Sequence, residues 1–276
     1  MTDRVKVSID GGVAEVRLNR PDKLNALDGG MYEALIEAGD RLKGDASVRA
    51  VVMSGEGDAF CSGLDAQTLR MLMGSHSDGA GPLHSPFAVA SEQRPYGIAN
   101  RVQYAVWVWH VLPVPVIAAV HGAAIGSGFE LALGADIRIV APDTRMAIVE
   151  LDWGMVPDMC GTHLMTRLAR DEAMRELLFT GRAFTGEEAV AMGLASRAAA
   201  DPRREALKLA NEIAAKSPDA VRAAKRLLNF ARDTDAEHLL MRETAEQVGL
   251  FGAPNQIEAY QARIAGRAPR FIDAKS

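Results

Sequence analysis

The stretch Val114-Pro115-Val116-Ile117-Ala118-Ala119-Val120-His121-Gly122-Ala123-Ala124-Ile125-Gly126-Ser127-Gly128-Phe129-Glu130 decides how this chain folds. Residues 114–120 are almost continuously apolar, as in a strand buried on both faces. Gly126-Ser127-Gly128 reads as a turn, residues 129–134 as a helix, and residues 137–140 as another strand. Strand, turn, helix and strand in this order predict an α/β architecture.

Upstream, residues 5–9 and 13–18 alternate apolar with polar side chains around Asp10-Gly11-Gly12, the pattern of a β-hairpin. Asp28 is placed to cap a helix whose apolar positions Met31, Leu35, Ala38 and Leu42 recur at helical spacing, and residues 50–53 read as a buried strand. The repeating unit is therefore ββα. Downstream of Thr185 the pattern predicts helices only, opening with the capping box Thr185-Gly186-Glu187-Glu188 and a stop at Gly193. Further helices are expected over residues 203–216, 219–231, 235–248 and 255–265. Residues 71–100 include a Gly, Ser, His and Pro-rich run without clear periodicity, which suggests a surface insertion or a lid over a substrate tail.

Composition narrows the function classes. With 276 residues, 48% of them apolar, the chain can bury one large core with a smaller appendage. A net charge of -5 with mixed signs along the chain provides no basic patch for a nucleic-acid backbone. No apolar run is long enough to cross a bilayer, and the first residues lead straight into a strand pattern, so a cytoplasmic location is expected. Cys61 and Cys160 are expected to be free thiols and are assigned no role.

The small residues from Gly122 to Gly128 lie between a buried strand and a helix, leaving free N–H groups at a helix N-terminus that favours an anion. A merely close-packed turn is the alternative. The spacing fits neither a dinucleotide fingerprint nor a phosphate loop. Glu130 is the lone acid on an apolar helix, so burial should raise its pKa and make it a better base near neutral pH. A buried ion pair with Arg138 or Arg145 competes with that reading. Glu150 ends the apolar run from Met146 and precedes a Gly and Pro-containing segment that includes Asp158, where acids can face a cleft. Gly63 permits a turn that frees the N–H of Leu64 as a second donor, while Asp65 could simply cap a helix. Ser62 has no neighbouring His or Lys to activate it as a nucleophile.

Taken together, Leu18-Asn19-Arg20-Pro21, Asn25-Ala26-Leu27, residues 59–65, residues 115–122, Gly126-Ser127-Gly128-Phe129-Glu130, Ala135-Asp136-Ile137-Arg138 and residues 150–162 carry a resemblance. Over nearly its whole length the chain resembles the crotonase, or enoyl-CoA hydratase/isomerase, superfamily. The resemblance implies a crotonase-type spiral of ββα units over residues 1–200 as an acyl-CoA-binding core. It also implies a C-terminal helical trimerisation region over residues 201–276, giving a homotrimer or a dimer of trimers. The implied oxyanion donors are the backbone amides of Leu64 and Ser127, Ser standing at 127 where relatives usually have Gly. Glu130 and Glu150 match the two glutamates that add water to a 2-trans-enoyl-CoA. Lys23, Leu24, Ala26, Ser62, Gly63, Asp65 and Gly126 fall on segments that line the substrate and coenzyme A path. Coenzyme A enters as part of the substrate, and neither a metal nor a separate cofactor is expected. One departure stands out: Asp158 is placed as in the dienoyl-CoA isomerases, which shuttle protons between Asp and Glu without adding water. Those isomerases have Asp where this chain has Glu130, so the motif is mixed. A non-catalytic, oligomeric acyl-CoA-binding protein is the reading from another class.

Overall fold

The protein is described from a computed structural model, which covers residues 3–74 and 92–274. The strands are β1 (Val5–Asp10), β2 (Val13–Leu18), β3 (Ala50–Gly55), β4 (Val116–Val120), β5 (Ala123–Ile125), β6 (Ile137–Val140), β7 (Arg145–Ala147) and β8 (Arg197–Ala198). The helices are α1 (Gly29–Lys43), α2 (Ala66–Gly74), α3 (Arg101–His110), α4 (Ser127–Leu133), α5 (Gly161–Met165), α6 (Asp171–Thr180), α7 (Gly186–Met192), α8 (Pro202–Ala214), α9 (Pro218–Phe230), α10 (Ala236–Leu250) and α11 (Pro254–Ile264).

β1 and β2 form the antiparallel hairpin, Asp10 opposite Val13, with Gly11 and Gly12 at φ 55° and 83°. Two successive positive-φ residues give the turn whose twist matches the strands it joins. Every later pairing is parallel, in the order β1-β2-β3-β4-β6-β8, and β5 pairs separately with β7. Strand periodicity divides the sheet between two cores. Val51, Met53, Val116, Ala118, Val120 and Val140 face the large core built with α1, α3 and α4. Ala50, Val52, Ile117, Ala119 and Ile139 face the opposite way, onto Ala206, Ala210 and Ala214 of α8. Three alanines one helical turn apart let that helix lie close on the sheet.

The structure changes several expectations. Downstream of Thr185 the chain is not wholly helical, since β8 adds an edge strand to the sheet beside β6. The run beginning at residue 71 is not irregular from its start, because α2 extends to Gly74; residues 75–91 of that expected insertion lie outside the described residues. Helix α3 was not foreseen, although Asn100 and Gln103 form a reciprocal capping box at its start. Helix α4 begins at Ser127, two residues before the expected start, which sets the direction of the Ser127 amide.

Helix α9 is anchored by Lys225, whose Nζ donates to Asp136 Oδ2 at 2.6 Å and to the carbonyl of Val114 at 2.9 Å. Asp136 also accepts from the Val116 amide at 2.7 Å, tying the helix to the strand that carries the site loops. Removing one member of a buried pair strands the other charge, so Asp136→Ala should lower unfolding stability by about 3 kcal/mol. Denaturant unfolding checks this, and a change below about 0.5 kcal/mol would place the pair among those that contribute nothing.

Candidate active site

Three turns converge above the carboxyl ends of β3 and β4. The first runs from Cys61 to Asp65. Cys61 donates to the Ala123 carbonyl and accepts from the Ile125 amide, fastening this turn to β5. Leu27 donates to the Gly63 carbonyl and accepts from the Asp65 amide. In a parallel bridge of this kind the intervening Leu64 N–H points the other way, and among the described residues it has no protein acceptor.

The second turn ends β5. Gly126 adopts φ 52°, and α4 then starts with Ser127 at its first position, where an N–H has no intrahelical acceptor. Gly63, at φ 94°, brings the two turns together: a Cβ there would lie 2.5 Å from the Ile125 carbonyl oxygen and 3.8 Å from the Ser127 nitrogen. Leu64 and Ser127 both line one cavity, as the bearers of two donors for a single oxygen must.

The third turn carries the acids. The pairing of β5 with β7 sets Glu150, three residues beyond β7, against Gly126; a Cβ on Gly126 would come within 2.8 Å of Glu150 Oε1. Glu150 is buried, and among the described residues its Oε2 meets no hydrogen-bond partner of normal geometry. Glu130, on α4, is 1% exposed, and its Oε1 accepts from the amides of Met159 and Gly161, each at 3.0 Å. Cys160 between them sits at φ 65°, which aims the flanking N–H groups at one oxygen, as in an anion-binding nest. Gly161 is required for this approach, since a Cβ would stand 2.4 Å from that oxygen.

Two amides favour the Glu130 carboxylate, yet burial and the nearby Glu150 charge outweigh them and push its pKa up to about 8. Burial raises Glu150 as well. Two close, desolvated carboxyl groups hold a proton at neutral pH where surface glutamates hold none, so one group can donate while the other accepts. The competing reading, an ion pair of Glu130 with Arg138 or Arg145, is not seen among the described residues. Arg138 is spent on the carbonyls of Leu194 and Ala135, at 2.7 and 2.6 Å.

Asp158 also lines this cavity. Its Oδ1 accepts from Gln103 Nε2 at 3.2 Å, and burial raises its pKa despite that bond. The inner cavity, about 120 Å³, is lined by Leu64, Ser127, Glu130, Glu150, Asp158 and Tyr32, among others. An outer cavity of about 440 Å³ shares Leu64, Ser127 and Glu150 with it and adds Ser62, Gly63 and Gly126. The two donors and Glu150 thus stand where the cavities meet.

Other expected contacts fall elsewhere. Asp65 lines neither cavity: it is bound by Arg20 at 2.7 Å and caps α2 through the amides of Gln67 and Thr68. Lys23 and Leu24 are exposed and Ala26 is buried, and none of the three lines either of these two cavities. They stand one layer behind it, since Ser62 donates to the Leu24 carbonyl at 2.9 Å. Cys61 and Cys160 are both free. Sequence reasoning missed Tyr32, Gln103 and the amides of Met159 and Gly161. The capping box could have pointed to Gln103, and a tyrosine on the apolar face of α1 could have pointed to Tyr32.

A mixed sheet whose loops bring two backbone N–H groups beside two buried acids is an arrangement able to stabilise an enolate. The family described as enoyl-CoA hydratase/isomerase matches residues 13–272, and the chain belongs to that family. The chain is 34% identical over 254 residues to the human mitochondrial Delta(3,5)-Delta(2,4)-dienoyl-CoA isomerase, covering 91% of this chain and 75% of the relative. It is 32% identical over 267 residues to the mitochondrial methylglutaconyl-CoA hydratase of Mus musculus, covering 94% and 79%. The crystal structure of an enoyl-CoA hydratase from Bacillus anthracis superposes with a TM-score of 0.86 at 27% identity, covering 98% of this chain and 99% of that one. The fold is therefore the crotonase fold, and the family acts on acyl-CoA thioesters.

Proposed function

We propose that this chain hydrates 2-trans-enoyl-CoA thioesters, using Glu130 and Glu150 beneath an oxyanion hole made by the amides of Leu64 and Ser127. The observation that supports this most is the juxtaposition of two buried acids with elevated proton affinity in one cavity, of which Glu150 also lines the other. The thioester carbonyl would sit at the shared wall, its coenzyme A arm in the outer cavity and its acyl chain in the inner one. One carboxylate takes a proton from water as its oxygen bonds to the β-carbon. The π electrons move onto the thioester oxygen, where the two amides stabilise the enolate. The other carboxyl then gives its proton to the α-carbon, and the elements of water have been added. No metal or separate cofactor is required. Lys23 and Leu24, behind Ser62, are proposed to contact the coenzyme A arm. The exposed Leu240, Met241 and Val248 of α10 and Phe251 just after it support the further proposal of a homotrimer or a dimer of trimers.

The test is turnover of crotonyl-CoA and longer enoyl-CoAs, followed by loss of the enoyl thioester absorbance. Absence of turnover at every chain length would reject hydration.

A second reading has a specific observation in its favour: Asp158 lines the same cavity, its Oδ1 held by Gln103. With Glu150 it would move protons along a dienoyl chain without adding water. Asp158→Asn separates the two. On the hydratase reading the variant hydrates crotonyl-CoA close to the wild-type rate. On the isomerase reading it loses dienoyl-CoA conversion about a hundredfold or more, as expected when an acid–base group is removed.

A further inference from the structure

The inner cavity combines a largely apolar wall with three acids. Glu130, Glu150 and Asp158 all line its space of about 120 Å³, and most of the other lining residues, Leu64, Val102 and Met155 among them, are apolar. Asp152 adds a fourth acid in the outer cavity. Among the described residues no Lys, Arg or His lines either cavity, and residues 75–91 contain neither Lys nor Arg. Arg94 acts on Asp158 through its charge but lines neither wall. Hydration uses Glu130 and Glu150 and gives Asp158 no task.

Such a wall discriminates by charge. A carboxylate that leaves water needs a compensating positive charge, and here it would meet acids instead. Two like charges about 6 Å apart in a partly solvated site repel enough to weaken binding about tenfold or more. Burial raises the proton affinity of all three acids, so one more carboxylate would be admitted only together with a further proton. An uncharged chain meets no such barrier and gains from the apolar part of the wall.

We infer that the inner cavity selects acyl chains by charge, admitting uncharged chains and rejecting those that end in a carboxylate, with Asp158 as a specificity-determining residue. The inference rests on the acyl-CoA reading of the site. It narrows that reading to thioesters of monocarboxylic acids and sets aside those of dicarboxylic acids. It also gives Asp158 a role in a hydratase, where no third acid is needed for the chemistry.

The test is calorimetric titration at pH 8 with butyryl-CoA, glutaryl-CoA and 4-carbamoylbutyryl-CoA, the last being the primary amide of glutaryl-CoA and nearly its equal in shape. The wild type should bind the amide at least about tenfold more tightly than the acid. Asp158→Asn should shrink that ratio about threefold or more. Thr68→Lys, which places a cation on the cavity wall from α2, should shrink it as well and keeps the test decisive if Asp158→Asn fails to fold. Thermal melting checks the fold of both variants. Equal affinities of the wild type for acid and amide would overturn charge selection, as would rejection of both, since size would then decide. A ratio that neither variant moves would overturn it too. In each of these cases binding of butyryl-CoA keeps the acyl-CoA reading intact, whereas a wild type that does not bind butyryl-CoA would overturn both.

Discussion

Glu130→Gln is expected to lower kcat by about 10²- to 10⁴-fold, the usual loss when a general acid–base group is removed. The variant should fold at least as well as the wild type. Glutamine keeps a carbonyl oxygen for the Met159 and Gly161 amides, and it removes a charge that burial opposes. The sign of the pH effect follows from the direction of the shift. Glu130 titrates near 4.5 when unfolded and at about 8 when folded, so between those values the folded state binds the extra proton. Its favourable contribution is complete below about pH 4.5 and is lost as pH rises through 8. The stability of Glu130→Gln relative to wild type should therefore grow between pH 5 and 8 and level off above. Paired denaturation curves across that range give the comparison. A flat difference would mean that Glu130 is ionised throughout and is not shifted by burial.

Gly63→Ala is expected to cost about a hundredfold or more in kcat/KM, comparable to losing one oxyanion donor. Two causes act together. The left-handed φ of 94° is unfavourable for an L side chain, and the new Cβ would lie 2.5 Å from the Ile125 carbonyl. Neither contact is with a flexible side-chain tip, so the turn must move away from β5. That movement separates the Leu64 and Ser127 amides. Stability should fall by roughly 1–3 kcal/mol from the strained backbone. Leu64→Ala retains the amide and should lose far less activity. If Leu64→Ala were the more damaging of the two, the side chain rather than the N–H would be the working group.

Much of this was written in local sequence. The hairpin followed from alternation around Asp10-Gly11-Gly12, and Glu130 stood out as the lone acid on an apolar helix. Both signals lie within a few residues, where periodicity and turn chemistry operate. The position of Glu150 against Gly126 depends on β5 pairing with β7, a contact between segments about twenty residues apart that no local pattern reveals. Tyr32 lines the cavity from α1 and Gln103 reaches Asp158 from α3, and only the tertiary fold brings them there. Asp65 is a different case. Its place in a recognised segment suggested a substrate contact, whereas its carboxylate is already satisfied by Arg20 and the start of α2. The cap was one of two readings open from the residues alone, and hydrogen-bond geometry decides between them.

The central claim is that Glu130 and Glu150 move a proton at the carbon next to a thioester whose oxygen rests on the amides of Leu64 and Ser127. Hydration and isomerisation both require that step. Incubating the protein with butyryl-CoA in deuterated water and following the α-carbon by mass spectrometry or NMR measures it without presuming which reaction follows. Deuterium should enter at the α-carbon with the wild type and fail to do so with Glu130→Gln combined with Glu150→Gln. Binding of butyryl-CoA without any exchange, or exchange that persists in the double variant, would contradict the account.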